Sequence, residues 1–212
     1  MPVNEYGQMI GESMEGYTPG ELPSIDFLEG RYARIEALSV EKHAEDLLAV
    51  YGPDTPREMW TYLFQEPVAD REELVSLLNQ MLARKDRFYY AIIDKVTGKA
   101  LGTFSPKLRG TRIGTEAQYL LARYVFEELN YRRYEWKCDV LNMPSRRAAE
   151  RLGFVYEGTF RQAVVYKGRT RDTDWLSMID KDWPKVKARL AAWLTPENFD
   201  KNGRQYKSLR EL

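Results

Sequence analysis

Apolar residues recur along this chain with two different periods, and the alternation between those periods outlines its elements. Residues 31–37 (Arg-Tyr-Ala-Arg-Ile-Glu-Ala) alternate and predict a half-buried strand. Ser39 is placed to cap a helix over 40–51, which Glu41 and Lys42 open. Asp70 stands before a second helix, 71–84, with Leu74, Leu77, Leu78, Met81 and Leu82 on one side. Residues 88–94 read as a buried strand, 95–99 as a tight hairpin turn, and 100–105 as a returning strand. A polar loop over 106–114 leads to a long helix, 115–129, whose start Glu116 favours and which Asn130 ends in a left-handed conformation. Residues 134–140 form the next strand. A short helix ending at Gly153 follows, then strand material over 155–166, a turn at Lys167-Gly168, a last strand over 174–179, and a helix near 184–194 with a polar tail.

The order of elements predicts an α/β (α+β) protein, and 43% hydrophobic content in 212 residues suits one domain with a full core. Residues 1–30 carry Gly7, Gly11, Gly16, Pro19, Gly20 and Pro23 with little periodicity and read as an extended arm. The division expected is an arm over 1–30, a domain over 31–183, and a C-terminal helix and tail over 184–212. Charge changes the picture by subtraction. With 32 basic and 32 acidic residues, nothing argues for a nucleic-acid or membrane-surface partner. One cysteine, Cys138, forbids an internal disulfide and suits a reducing compartment. One histidine, His43, argues against a His-based triad or a multi-His metal site, so no metal is expected. No basic-then-apolar leader opens the sequence, and no apolar run nears the roughly 20 residues needed to cross a bilayer. A cytoplasmic location is the expectation.

Two stretches carry candidate chemistry. The first is Arg109-Gly110-Thr111-Arg112-Ile113-Gly114-Thr115, a glycine-containing loop ahead of a helix, where free backbone N–H groups suit phosphate. The second is Asn142-Met143-Pro144-Ser145-Arg146-Arg147-Ala148-Ala149-Glu150-Arg151-Leu152-Gly153-Phe154, a polar turn and short helix between two strands.

Together these stretches resemble the GNAT superfamily of acyl-CoA-dependent N-acetyltransferases. The resemblance runs over about residues 31–183. It is closest to the branch of Rim-type ribosomal-protein N-terminal acetyltransferases, to which Glu157-Gly158-Thr159-Phe160-Arg161-Gln162-Ala163 and Asp172-Thr173-Asp174-Trp175 also point. It implies a central, mixed but mostly antiparallel sheet flanked by helices. It also implies acetyl-CoA as co-substrate, bound by residues 109–115 together with Asn142, Ser145 and Arg147. Arg112 departs from the family's loop pattern, which has glycine there. The implied reaction moves acetyl to a primary amine by direct transfer in a ternary complex.

Ser145 is then the candidate proton donor to the leaving thiolate, with Tyr156 and Tyr166 weaker; as a bare residue Ser145 reads equally as a helix cap. The glutamate that follows Gln-Ala in Rim-type relatives is Val164 here, so Glu157 is the candidate base, although it also reads as an edge-strand charge, and Asp172 and Asp174 are other acids near the expected cleft. Trp60, Tyr62 and Phe64 fall where the family's acceptor loop lies and form either an aromatic acceptor wall or core. Cys138, mid-strand between Trp136 and Val140, reads as a buried small hydrophobe. The acceptor implied is a small-molecule or peptide amine, and the family often dimerises.

Relatives have a longer hairpin before the phosphate loop. Here residues 100–105 run straight into 106–109, so one strand is missing. Deleting a strand from an antiparallel meander reverses the next, which predicts either a re-registered hairpin or impaired CoA binding. The rival reading is accordingly a degenerate domain serving as a CoA-binding or protein-interaction module.

Overall fold

The computed structural model describes residues 1–103 and 108–212. Its strands form two three-stranded antiparallel sheets. In the first, β1 (Phe27–Glu29) pairs with β2 (Ala33–Ala37), and β2 with β3 (Tyr90–Asp94). In the second, β6 (Arg169–Ile179) lies between β4 (Arg133–Asp139) and β5 (Val155–Tyr166). Helices α1 (Val40–Tyr51) and α2 (Arg71–Leu82) pack together and enclose Leu47, Leu74 and Leu78 against Ala91 of β3. Ser39 and Asp70 cap them through Lys42 N–H and Glu73 N–H, as their spacing predicts. The single histidine is used up here: His43 Nδ1 accepts from Ser39 N–H at 3.0 Å, which leaves Nε2 to donate to Glu36 at 2.7 Å.

Helix α3 (Arg112–Arg123) joins the two sheets, contributing Ala117, Leu120 and Leu121 to one core and Ala122 to the other. It starts three residues before the expected position because the Thr111 hydroxyl caps it, accepting from Gly114 N–H at 3.0 Å. Gly114 therefore sits in the first turn and not in the loop. A π-helical turn, Tyr124–Glu128, extends the helix, and Asn130 closes it at φ 54°. Glu116 does more than favour the helix start. Its buried carboxylate accepts from the backbone N–H groups of Arg31 (2.8 Å), Tyr32 (2.6 Å) and Ala33 (2.6 Å), pinning the β1–β2 turn to α3.

Among the described residues the return from β3 pairs only briefly. Gly98 turns the chain at φ 71°, and it pairs back at the bridge Ile93–Ala100, with Leu101 N–H on Ile92 O and Ile92 N–H on Gly102 O. The rest of the expected strand, 104–105, and the loop start, 106–107, lie outside the described residues. The last strand begins five residues earlier than its hydrophobic pattern shows. Lys167 and Gly168, at φ 49° and 68°, make a two-residue hairpin that pairs polar residues 169–171 with β5.

Helix α4 (Met143–Leu152) is capped by Asn142, whose side chain accepts from Ser145 N–H, so Ser145 is not the cap and its hydroxyl is free for other contacts. Gly153 ends α4 at φ 110°, where a Cβ would meet Val186 at 2.8 Å. Helix α5 (Trp183–Trp193) covers the second core with Trp183, Leu190 and Trp193. The tail expected to be polar is packed: Leu209 is fully buried, and Asn198 bonds the carbonyls of Trp193 and Lys207. Among the described residues no helix is long and apolar enough to cross a membrane.

Candidate functional site

A cavity of about 160 Å³ opens between the start of α3 and the start of α4. Arg109, Gly110, Gly114 and Thr115 line one side, and Asn142 and Ser145 the other. The 109–115 loop is therefore not at the wrong end of the sheet: residues of the two sequence motifs face a common space. Gly110 takes φ 70°, a conformation that suits glycine, and nothing stands within 4 Å of where its Cβ would be. The loop thus leaves its backbone open. The first amides of α3 point out of the helix without intrahelical acceptors, as at every helix start.

Not all of the expected loop side chains face this space. Thr111 is occupied as the cap, and Ile113 packs against the first core. The Arg112 guanidinium turns to the tail, 4.5 Å over the Tyr32 ring and 5.6 Å from the Phe199 ring. Its larger side chain at the family's glycine position does not narrow the cavity. Arg147 is exposed on α4 beyond the lining.

Two cavity residues were legible only in part. Trp136, on β4, donates from Nε1 to the Ser145 Oγ at 3.0 Å, orienting that hydroxyl. Alternation along β4 puts Trp136 on the face of Tyr134 and Cys138, yet it could not tell which element that face meets. Burial raises the Cys138 thiol above its ordinary value, and a hydrogen bond with Ser145 opposes the rise. Arg151 lines the cavity and donates from Nη2 to the Thr115 Oγ1 at 2.8 Å. Burial lowers its pKa, and Arg189 and Arg210 lower it further, so three guanidiniums gather at this end. Open helix amides with cations beside them match a polyphosphate, and the apolar side formed by Leu108, Ala148 and Leu152 matches an extended apolar arm.

A second cavity, about 510 Å³, lies across the loop that carries Met59 and Leu63 to the first. The 3-10 turn Arg57–Trp60 and the residues after it separate the two. Asp139, at the end of β4, lines this second cavity and is only 4% exposed. Its Oδ2 accepts from the Tyr166 hydroxyl at 2.7 Å and its Oδ1 from Leu141 N–H at 2.9 Å, while its carbonyl accepts from Asn142 N–H at 2.9 Å. One turn, 139–142, therefore touches both cavities. Burial, then the bond to Asp139, raises Tyr166 to about 12. Sequence reasoning missed Asp139, which looks like any strand-end aspartate until Tyr166 is brought to it from 27 residues away.

The aromatic trio is divided. Trp60 is core, 3% exposed, its Nε1 donating to Thr55 Oγ1, though it still borders the second cavity. Tyr62 also borders it. Phe64 is exposed and packs on Tyr166 at 5.4 Å.

Two other candidates, Glu157 and Tyr156, sit apart from both cavities. Glu157 is bound by both Nη atoms of Arg133 and by the Ser177 hydroxyl at 2.7 Å. Arg133 foremost, then Ser177, lowers its pKa to about 2. A carboxylate so held is a weak proton acceptor at neutral pH. Tyr156 stands under the Arg146 guanidinium, its hydroxyl 2.7 Å from Thr159 Oγ1, which donates to the buried Asp174 at 2.5 Å.

Comparison with known proteins shows the family. Residues 103–155 match the model of the acetyltransferase (GNAT) domain, the stretch that builds the first cavity. A crystal structure of a GCN5-related N-acetyltransferase from Brucella melitensis is 40% identical and superposes with a TM-score of 0.88, over 93% of this chain and 98% of that one. The chain belongs to the GCN5-related N-acetyltransferase (GNAT) family. The "Putative ribosomal N-acetyltransferase YdaF" of Bacillus subtilis (strain 168) is 34% identical over 93 residues, which make up 43% of this chain and 51% of that protein. The chain thus matches about half the length of that relative. A spermidine N-acetyltransferase from Vibrio cholerae, solved with CoA and spermine, shares the fold at 18% identity, with a TM-score of 0.55 over 72% of this chain and 98% of that one.

Proposed function

We propose that the protein is an acetyl-CoA-dependent N-acetyltransferase acting on a primary amine by direct transfer. The observation that carries this is the convergence of the 109–115 loop and the Asn142–Ser145 turn on one cavity, next to a second cavity bearing a buried carboxylate. Acetyl-CoA would supply an activated acyl group, its phosphates at the start of α3 and its arm between Leu108 and Asn142. Arg109 and Arg151 would hold the phosphate end, and Ser145, oriented by Trp136, would protonate the departing sulfur. The amine enters from the second cavity. Its nitrogen forms the new C–N bond as the C–S bond breaks, and its proton leaves toward Asp139, which has lone pairs beyond those used by Tyr166 and Leu141. Asp139 replaces Glu157 in this reading because it borders the amine cavity and Glu157 does not. Cytoplasmic residence is part of the proposal and rests on the lone buried cysteine.

One observation favours the rival, a binding module without turnover: Val164 occupies the position of the relatives' glutamate, in an irregular part of β5. Thiol release from acetyl-CoA in the presence of an amine panel separates the two, alongside calorimetric titration with acetyl-CoA. The enzyme reading expects amine-dependent thiol release and binding in the micromolar range. Tight binding with no release for any amine supports the module instead, and no binding at all removes both.

A further inference from the structure

The second cavity has an unbalanced charge. Its two carboxylates are already engaged: Glu66 pairs with Lys167 Nζ at 2.6 Å, and Asp139 lies buried under Tyr166 and Leu141 N–H. Its two arginines are not. Arg57, on the 3-10 turn, and Arg169, at the start of β6, both line the cavity and are exposed, and among the described residues neither guanidinium has an ion pair or hydrogen bond. Arg171 stacks near Tyr166, which lines the cavity, without being part of the lining itself. It is 7% exposed and lies 4.8 Å over the Phe64 ring and 5.5 Å from the Tyr166 ring. Its Nε donates to the Thr173 hydroxyl at 3.1 Å, and among the described residues no carboxylate pairs with it. Planar guanidiniums without a carboxylate partner suit oxyanions best.

We propose that this cavity selects an acceptor amine that carries an oxyanion, a carboxylate or a phosphate, held by Arg57 and Arg169 while the amine points to Asp139. The inference rests on reading the neighbouring cavity as the acyl-donor site. The lining holds both kinds of group: Asp139, whose carbonyl accepts from the Asn142 N–H of the neighbouring cavity, and the two guanidiniums. An amine with an anion a few bonds away satisfies both, whereas a polycationic amine would set its second charge against the arginines.

The test compares matched acceptors in kcat/KM: β-alanine and O-phosphoethanolamine against propylamine, and the dipeptide glycyl-glutamate against glycyl-lysine amide. The expected result is a preference of about tenfold or more for each anionic member, shrinking as salt is added. The double variant Arg57→Gln, Arg169→Gln brings the ratios close to one. Preference within the first set but not between the peptides supports a small free metabolite as acceptor, and preference in both supports an acidic peptide as well. Equal or better use of propylamine and glycyl-lysine amide overturns the inference and leaves the transferase reading standing. If no amine is acetylated, NMR titration of the chain with N-acetyl-β-alanine and N-propylacetamide decides. Selective binding of the anion, lost in the double variant, upholds the charge selection while the transferase reading fails; indiscriminate binding, or none, overturns it.

Discussion

Arg151 Nη2 donates to the Thr115 hydroxyl at 2.8 Å, joining the last turn of α4 to the first turn of α3 across the first cavity. Each of the two sequence motifs supplies one partner, so this bond links the halves of the site directly. Its cation stands near Arg189 and Arg210, and burial and those neighbours both disfavour its charge in the free protein.

Replacing this arginine should therefore separate affinity from stability. Arg151→Met is expected to weaken acetyl-CoA binding by about ten- to a hundredfold, the loss of a charge-assisted contact. Thermal unfolding of the unliganded variant should not fall in proportion, because repulsion is relieved. Calorimetric titration and a melting curve on the same preparation check both halves.

Ser145→Ala tests the proton donor. The turn keeps its cap, since Asn142 accepts from the backbone N–H of residue 145. The expectation is a fall in kcat of about a hundredfold with little change in affinity for acetyl-CoA. An equal fall in affinity would make Ser145 a binding residue instead.

Asp139→Asn keeps an oxygen for Leu141 N–H but removes the proton acceptor. It should lower kcat/KM for amines by about a hundredfold and leave acetyl-CoA affinity within about twofold. Tyr166 is raised to about 12, so it stays protonated through the working range and should add no inflection to the rate profile between neutral pH and about 10.

Glu116→Gln tests the anchor between α3 and the β1–β2 turn. A glutamine oxygen cannot take the place of two ionised oxygens serving three backbone N–H groups. The variant should lose about 2 kcal/mol in urea unfolding, and an unchanged midpoint would refute the anchoring role.

Glu157 carries a pH signature. Its pKa falls from the ordinary 4.5 to about 2 in the folded chain. A depressed carboxyl contributes stability that is fully present above 4.5 and is lost as pH falls toward 2. The difference in unfolding midpoint between the natural chain and Glu157→Gln should accordingly shrink over that window. Activity near neutral pH should change little, as Glu157 lies apart from both cavities.

The sequence by itself determined local structure wherever the signal was local. Ser39 and Asp70 cap the helices they precede, Asn130 and Gly153 end theirs in left-handed conformations, and Lys167-Gly168 turns the hairpin. Parts of the 109–115 and 142–154 stretches also meet at the first cavity, because backbone shape there is written in neighbouring residues. Tertiary structure decided everything that depends on distant partners. Thr111, not the loop's end, fixes where α3 starts, and Arg112 belongs to the Tyr32–Phe199 contact instead of the cavity. Trp136 reaches Ser145, and Arg133 holds Glu157 in an ion pair. Tyr166, from the next hairpin, makes an ordinary strand-end aspartate into a buried carboxylate at the second cavity. Period and capping are properties of a few consecutive residues. The burial, partner and charge balance of a side chain are set by residues tens of positions away, and those three quantities govern reactivity.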